Sequence, residues 1–157
     1  MTVSILFVCL GNICRSPLAE AALRAEAARL GLDVHVDSAG TGDWHVGRPP
    51  DRRAQAAAAR RGVDIGHLRA RQVVPADFAR FDHIIALDAS NLADLARTKP
   101  AGAKASLSLL LDHVPGREGQ AVADPYHGEA RHFDATWEEV SRAARALAER
   151  IAAEASG

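Results

Sequence analysis

The run Cys9-Leu10-Gly11-Asn12-Ile13-Cys14-Arg15-Ser16-Pro17 puts a nucleophile, a permissive backbone and a planar cation into one short stretch. It follows an apolar, β-rich segment, Val3 to Val8, and leads into a helical pattern. At the start of a helix the first backbone amides have no internal partner and point outward. Gly11 lets the chain curl tightly, and Asn12 is among the few other residue types that tolerate positive φ. A curl of amides forms a nest for an anion, and the helix dipole adds to its field. Such a junction suits a phosphate group, and the Arg15 fork can grip two of its oxygens. The same field favours thiolate over thiol at Cys9, which makes the sulfur a nucleophile. A hydroxyl from Ser16 can donate to it. The stretch therefore carries an attacking group and an oxyanion clamp together.

Taken alone, Cys9 would read as a small buried hydrophobe at a strand end. The order Cys, Gly, Asn, Arg, Ser, Pro at a strand-to-helix joint argues for chemistry instead. A zinc site is disfavoured, because Cys9 and Cys14 have no clear second pair of ligands. Asp124 before Pro125 is, by itself, an ordinary turn residue. His127 and His132 beside it read as surface histidines, so no metal and no cofactor are expected.

The flanking patterns place these residues on a scaffold. Ser16 and Pro17 read as N-cap and first helical position. Ala19, Leu23, Ala27 and Leu30 continue the helix until Gly31 ends it. Val34 to Ser38 alternates as a second strand and ends at Ala39-Gly40-Thr41-Gly42, which completes a βαβ unit. Asp51 to Arg61 reads as a helix, Asp82 to Leu87 as a buried strand, and the residues through Leu95 as amphipathic. Leu107 to Leu111 reads as a fourth strand. Trp137, Val140, Ala144, Leu147 and Ile151 mark a last helix, with Thr136 and Glu139 spaced as a capping box. Alternating strands and helices predict an α/β three-layer fold. In such folds ligands bind past the carboxyl ends of strands. Cys9 to Ser16, Ser38 to Trp44, Asp88 and the loop around Asp124 all fall at such places and can converge.

Bulk properties narrow the function further. The 157 residues fit one domain, expected over residues 1–157, with 48% hydrophobic and 25% charged residues. A formal net charge of -1 gives no basic excess for nucleic acid. No apolar stretch reaches membrane-spanning length, so no membrane partner is expected. Met1 to Val8 shows no basic leader, and two cysteines make no disulfide framework, so a cytoplasmic, reducing setting is expected.

Val8 to Pro17 matches the signature of low-molecular-weight protein tyrosine phosphatases, and the match runs on through Leu18-Ala19-Glu20-Ala21. It recurs at Ser38-Ala39-Gly40-Thr41, Asp43-Trp44, Val46-Gly47, Ala70-Arg71-Gln72, Phe81-Asp82, Leu87-Asp88, Asn91-Leu92 and Asp124-Pro125-Tyr126. The chain therefore resembles that family over nearly its whole length. The resemblance implies a four-stranded parallel sheet flanked by helices, with a strand–phosphate loop–helix at the first junction. It implies hydrolysis of phosphotyrosine in proteins, and of aryl phosphates, without a metal. Cys9 would form a phosphocysteine, while Arg15 and the loop amides of Leu10, Gly11, Asn12, Ile13, Cys14 and Ser16 hold the phosphoryl oxygens. Asp124 would serve as acid and then base. Leu10, Ile13, Trp44 and Tyr126 would wall the pocket, and Asn12 and Ser38 would support the loop. Cys14 would trap an oxidised Cys9 as a reversible disulfide. The implied partner is a phosphotyrosine-containing protein, a tyrosine kinase among the candidates.

Two departures stand out. The family's supporting histidine falls on Leu68, with His67 one position off. His127 replaces an aromatic residue of the animal relatives. Two rival functions share the first loop. A thioredoxin-coupled arsenate reductase needs further cysteines, and none follows Cys14. A non-catalytic phosphate-binding module or a phosphocysteine carrier would need no acid placed like Asp124.

Overall fold

The computed structural model describes residues 2–156, so Met1 and Gly157, the ends of the expected domain, lie outside the described residues. Four strands form one sheet: β1 (Val3–Cys9), β2 (Val34–Gly40), β3 (His83–Ala86) and β4 (Ser106–Leu109). Their order is β2-β1-β3-β4 and every pairing is parallel. Helices α1 (Arg15–Leu30), α2 (Arg52–Ala59), α3 (Asp77–Arg80), α4 (Ala89–Thr98) and α5 (Ala130–Ser156) complete the chain.

The period-2 alternation of β1 explains the three layers. Ile5, Phe7 and Cys9 point into a core shared with α1, α2 and α5, whereas Leu6 and Val8 point into a second core with Phe78, Ile84 and Leu95. A strand covered on both faces must be apolar throughout, as Ile5 to Val8 is. The sheet order reverses direction between β1 and β3. That switch opens a crevice past the carboxyl end of β1, where the Cys9 loop lies.

Several boundaries differ from the sequence pattern, each for a local reason. Helix α1 begins at Arg15, with Cys14 as the preceding residue and no side-chain cap. Ser16 is therefore inside the first turn, its hydroxyl turned to Cys9 rather than to the helix end. Pro17 remains harmless there, because first-turn amides have no acceptor to lose. Strand β4 ends at Leu109, since the Asp112 carboxylate accepts the Leu109 amide at 2.9 Å and turns Leu110–His113 into a 3-10 turn. Helix α5 begins at Ala130, ahead of the expected capping box. Thr136 instead donates to the His132 carbonyl at 2.9 Å, and Glu139 pairs with Arg117 at 2.8 Å. Phe133, four residues before Trp137, is fully buried and draws the apolar stripe back by a turn. Asp51 caps α2 by accepting the Arg53 amide. No helix among the described residues is long and apolar enough to cross a membrane.

Candidate active site

The loop from Leu10 to Cys14 leaves β1 and curls back over β2. Asn12 has φ 57°, the left-handed conformation expected of it, and no other described non-glycine residue has positive φ. The loop carbonyls are turned outward: Cys9 and Leu10 accept from the amides of Thr41 and Gly42, and Ile13 accepts from Asp51. The curl passes so close to Gly40 that a Cβ there would sit 2.7 Å from the Leu10 carbonyl oxygen. That contact explains the glycine in Ser38-Ala39-Gly40. Among the described residues, the amides of Gly11 through Cys14 have no protein acceptor outside the loop. They are free to serve an anion at the α1 N-terminus.

A hydrogen-bond chain holds this shape from behind. Asn12 Nδ2 donates to Ser16 Oγ at 2.8 Å and to Ser38 Oγ at 2.9 Å, while its Oδ1 accepts the Arg71 amide at 3.0 Å. Ser38 donates in turn to Glu20 Oε1 at 2.7 Å. With Asn12 donating to it, the Ser16 hydroxyl is left two acceptors for its proton, Cys9 Sγ at 3.0 Å and the more distant Ala39 carbonyl at 3.5 Å. Arg71 also pairs with Asp37 and the buried Asp77, which anchors the Ala70-Arg71-Gln72 segment beside the loop. Asn12, Ser16 and Ser38 thus stand behind the cavity rather than on its wall. Neither residue at the histidine slot joins the chain: His67 is exposed, and Leu68 packs against the core. Glu20, paired in turn with Arg24, receives the Ser38 hydroxyl instead.

In front of the loop lies a cavity of about 210 Å³, lined by Cys9, Leu10, Gly11, Ile13, Cys14, Arg15, Trp44, His45, Asp124, Tyr126 and His127. Cys9 is 3% exposed at its floor. Arg15 Nη1 donates to Asp88 Oδ2 at 2.8 Å and to the Val122 carbonyl at 2.9 Å. Its Nη2 faces Asp124 Oδ2 at 3.7 Å. Trp44, 68% exposed, lies across Gly42 at the rim, and Tyr126 packs edge-on to His127 with ring centroids 5.0 Å apart. Cys14 is buried, and burial together with the Asp51 carboxylate pushes its thiol well above the ordinary cysteine range. Both cysteines are free thiols. The arrangement offers a sulfur, a guanidinium, a carboxylate and loop amides around one point, which is what transfer of a phosphoryl group to sulfur requires.

A family model for low molecular weight phosphotyrosine protein phosphatase matches residues 4–156. The chain belongs to that family. The human low molecular weight phosphotyrosine protein phosphatase is 40% identical over 153 residues, 95% of this chain and 96% of its own. The crystal structure of YfkJ from Bacillus subtilis superposes with a TM-score of 0.89 at 38% identity, covering 98% of this chain and 97% of that one. A mutant of the arginine phosphatase YwlE, solved with a phosphorylated active-site serine, superposes with a TM-score of 0.84 at 26% identity, covering 95% of each chain.

Some residues of this phosphatase-family site were silent in the sequence. Asp88 sat in a recognised motif without a role, and the structure gives it the Arg15 guanidinium. The sequence pattern gives His45, Asp51, Arg53 and Glu20 no role of their own. Glu20 had one legible signal: it lies four residues after Ser16, on the same face of α1.

Proposed function

We propose that this chain acts as a single domain that hydrolyses phosphotyrosine in proteins, and aryl phosphates, through a phosphocysteine on Cys9. The observation that carries the reading is the meeting of Cys9, Arg15 and Asp124 around one cavity above unpaired loop amides. Cys9 Sγ attacks phosphorus while the bond to the aryl oxygen breaks. Arg15 Nε and Nη2 and the loop amides hold the equatorial oxygens, where charge spreads in the transition state. Asp124 gives its proton to the leaving phenolate. Water then attacks the phosphocysteine, Asp124 takes the proton back, and inorganic phosphate leaves with the thiolate restored.

The walls favour a flat ring. Leu10, Ile13, Trp44 and Tyr126 flank a sulfur that is recessed at the floor, so a short phosphoserine reaches it poorly. A phosphoarginine guanidinium would find one carboxylate there, Asp124. A phosphotyrosyl protein, a tyrosine kinase included, is the partner this reading implies. Free Cys9 and Cys14 suit a reducing compartment such as the cytoplasm.

The test is p-nitrophenyl phosphate turnover with EDTA present, wild type beside Cys9→Ser, with phosphotyrosine, phosphoserine and phosphoarginine compared. Rapid, chelator-insensitive turnover that vanishes in the variant, with phosphotyrosine preferred and phosphate binding retained, supports the reading. Normal turnover by Cys9→Ser removes the nucleophile assignment. No turnover by reduced wild type leaves a loop that only binds an oxyanion.

A further inference from the structure

Asp124 is held by few contacts of its own. Its side chain is 44% exposed, and Arg15 stands 3.7 Å away, beyond hydrogen-bond length. What fixes it is the turn that follows. Tyr126 donates its amide to Asp124 Oδ1 at 3.1 Å, and the Gly128 amide donates to the Pro125 carbonyl at 2.8 Å. The carbonyls of Tyr126 and Gly128 then accept from one guanidinium, that of Arg53, at 3.0 Å each.

Arg53 is itself held on the phosphate-loop side. Asp51 Oδ1 accepts from Arg53 Nε, and Asp51 Oδ2 accepts from Nη2, both at 3.0 Å. The Asp51 amide donates to the Ile13 carbonyl at 2.8 Å, so the start of α2 is tied to the phosphate loop. The guanidinium also lies 4.5 Å from the centroid of Phe133, in the first turn of α5. Nε, Nη1 and Nη2 are all engaged in one plane. An ammonium could not span two carbonyls and a carboxylate in this way.

We propose that Arg53 is a positioning residue that clamps the Asp124–Gly128 turn to the phosphate loop, so that the Asp124 carboxyl meets the leaving oxygen. Arg53 is not among the residues that line the cavity, and it meets the wall only from behind, its guanidinium 5.7 Å from the centroid of the Tyr126 ring. The proposal rests on Asp124 being the proton donor. A group acting through Asp124 has a particular signature. Its loss slows poor leaving groups, which need a proton, and spares good ones, which do not. It also leaves the oxyanion site intact.

The experiment measures kcat/KM for a series of aryl phosphates running from phenyl to 2,4-dinitrophenyl, with the inhibition constant of inorganic phosphate. The chains are wild type, Asp124→Asn, Arg53→Met, Arg53→Lys and the double variant Arg53→Met/Asp124→Asn. Methionine keeps an apolar stem over Phe133, and lysine keeps the charge. Asp124→Asn should lose about 10²–10⁴-fold on phenyl phosphate. Arg53→Met should lose about tenfold to a hundredfold there, as misplaced catalytic groups do. It should lose under about threefold on the dinitrophenyl ester, with phosphate inhibition within about twofold, and Arg53→Lys should follow the same slope. In the double variant Arg53→Met should add nothing to Asp124→Asn. If Asp124→Asn itself is flat across the series, the acid assignment fails and the clamp with it. If Asp124→Asn is steep while folded Arg53→Met or Arg53→Lys loses equally on all esters, or weakens phosphate, Arg53 acts through Ile13 and the loop, and the clamp proposal alone is overturned. Should Arg53→Met not fold, the Arg53→Lys slope decides between these outcomes.

Discussion

Arg15 gives both Nη1 hydrogens away within the protein, and one of them goes to Asp88 Oδ2 at 2.8 Å. Asp88 is fixed in turn, because its Oδ1 caps α4 by accepting the Asn91 amide at 2.8 Å. The guanidinium is thus set by the start of a helix on the far side of β3. Removing Asp88 leaves a nearly buried cation free to swing. Asp88→Ala should lower kcat/KM on p-nitrophenyl phosphate about a hundredfold and weaken phosphate inhibition in parallel. Retained phosphate affinity in that variant would show that Val122 alone holds the fork.

Asn12 combines two demands that can be separated. It adopts φ 57° and makes three hydrogen bonds behind the loop. Glycine meets the first demand and not the second, and alanine meets neither. Asn12→Gly should cost stability through the lost hydrogen bonds, and Asn12→Ala should cost about 1–2 kcal/mol more for its left-handed backbone. Denaturant melts of the two variants read the difference. Equal midpoints would mean that the loop abandons the left-handed conformation once Asn12 is gone.

Trp44 stands at the rim with most of its surface in solvent. A ring so placed contributes where a substrate ring can stack on it and nowhere else. Trp44→Ala should raise KM for phosphotyrosyl peptide about tenfold, near 1.4 kcal/mol of stacking, with kcat close to wild type. An alkyl phosphate should show no change. A fall in kcat with KM unmoved would place Trp44 in the loop's support instead.

The strands and their order of use were legible because buried parallel strands announce themselves as short apolar runs, and β1 does so from Ile5 to Val8. The phosphate loop was legible because few residue types satisfy its backbone, and Gly11, Asn12 and Gly40 are among them. Helix α3, one turn from Asp77 to Arg80, was not, since four residues carry no periodicity. The start of α5 was misplaced because Thr136 and Glu139 have the spacing of a cap but are used for a back-bond and an ion pair. The roles of Glu20, Asp51, Arg53 and Asp88 were hidden for another reason. Glu20, Arg53 and Asp88 each reach a partner distant in sequence, Asp51 matters through the Arg53 that it holds, and charged residues are too common for any of them to stand out.

Glu20 gives a pH dependence with a definite sign. It is 2% exposed, and burial pushes its carboxyl above the ordinary glutamate range, against the opposing pull of the Ser38 hydroxyl and Arg24. Between the unfolded value, about 4.3, and the raised folded value, the folded chain holds more protons than the unfolded chain. Stability contributed by this group is therefore present at low pH and falls as pH rises through that interval. Glu20→Gln removes the titration while keeping an oxygen for Ser38. The stability of wild type relative to Glu20→Gln, from urea melts at steps between about pH 4 and pH 8, should decline with rising pH and then level off. Parallel curves would mean that Arg24, bonded to Glu20 at 2.8 Å, cancels the burial cost and keeps the carboxyl in its ordinary range.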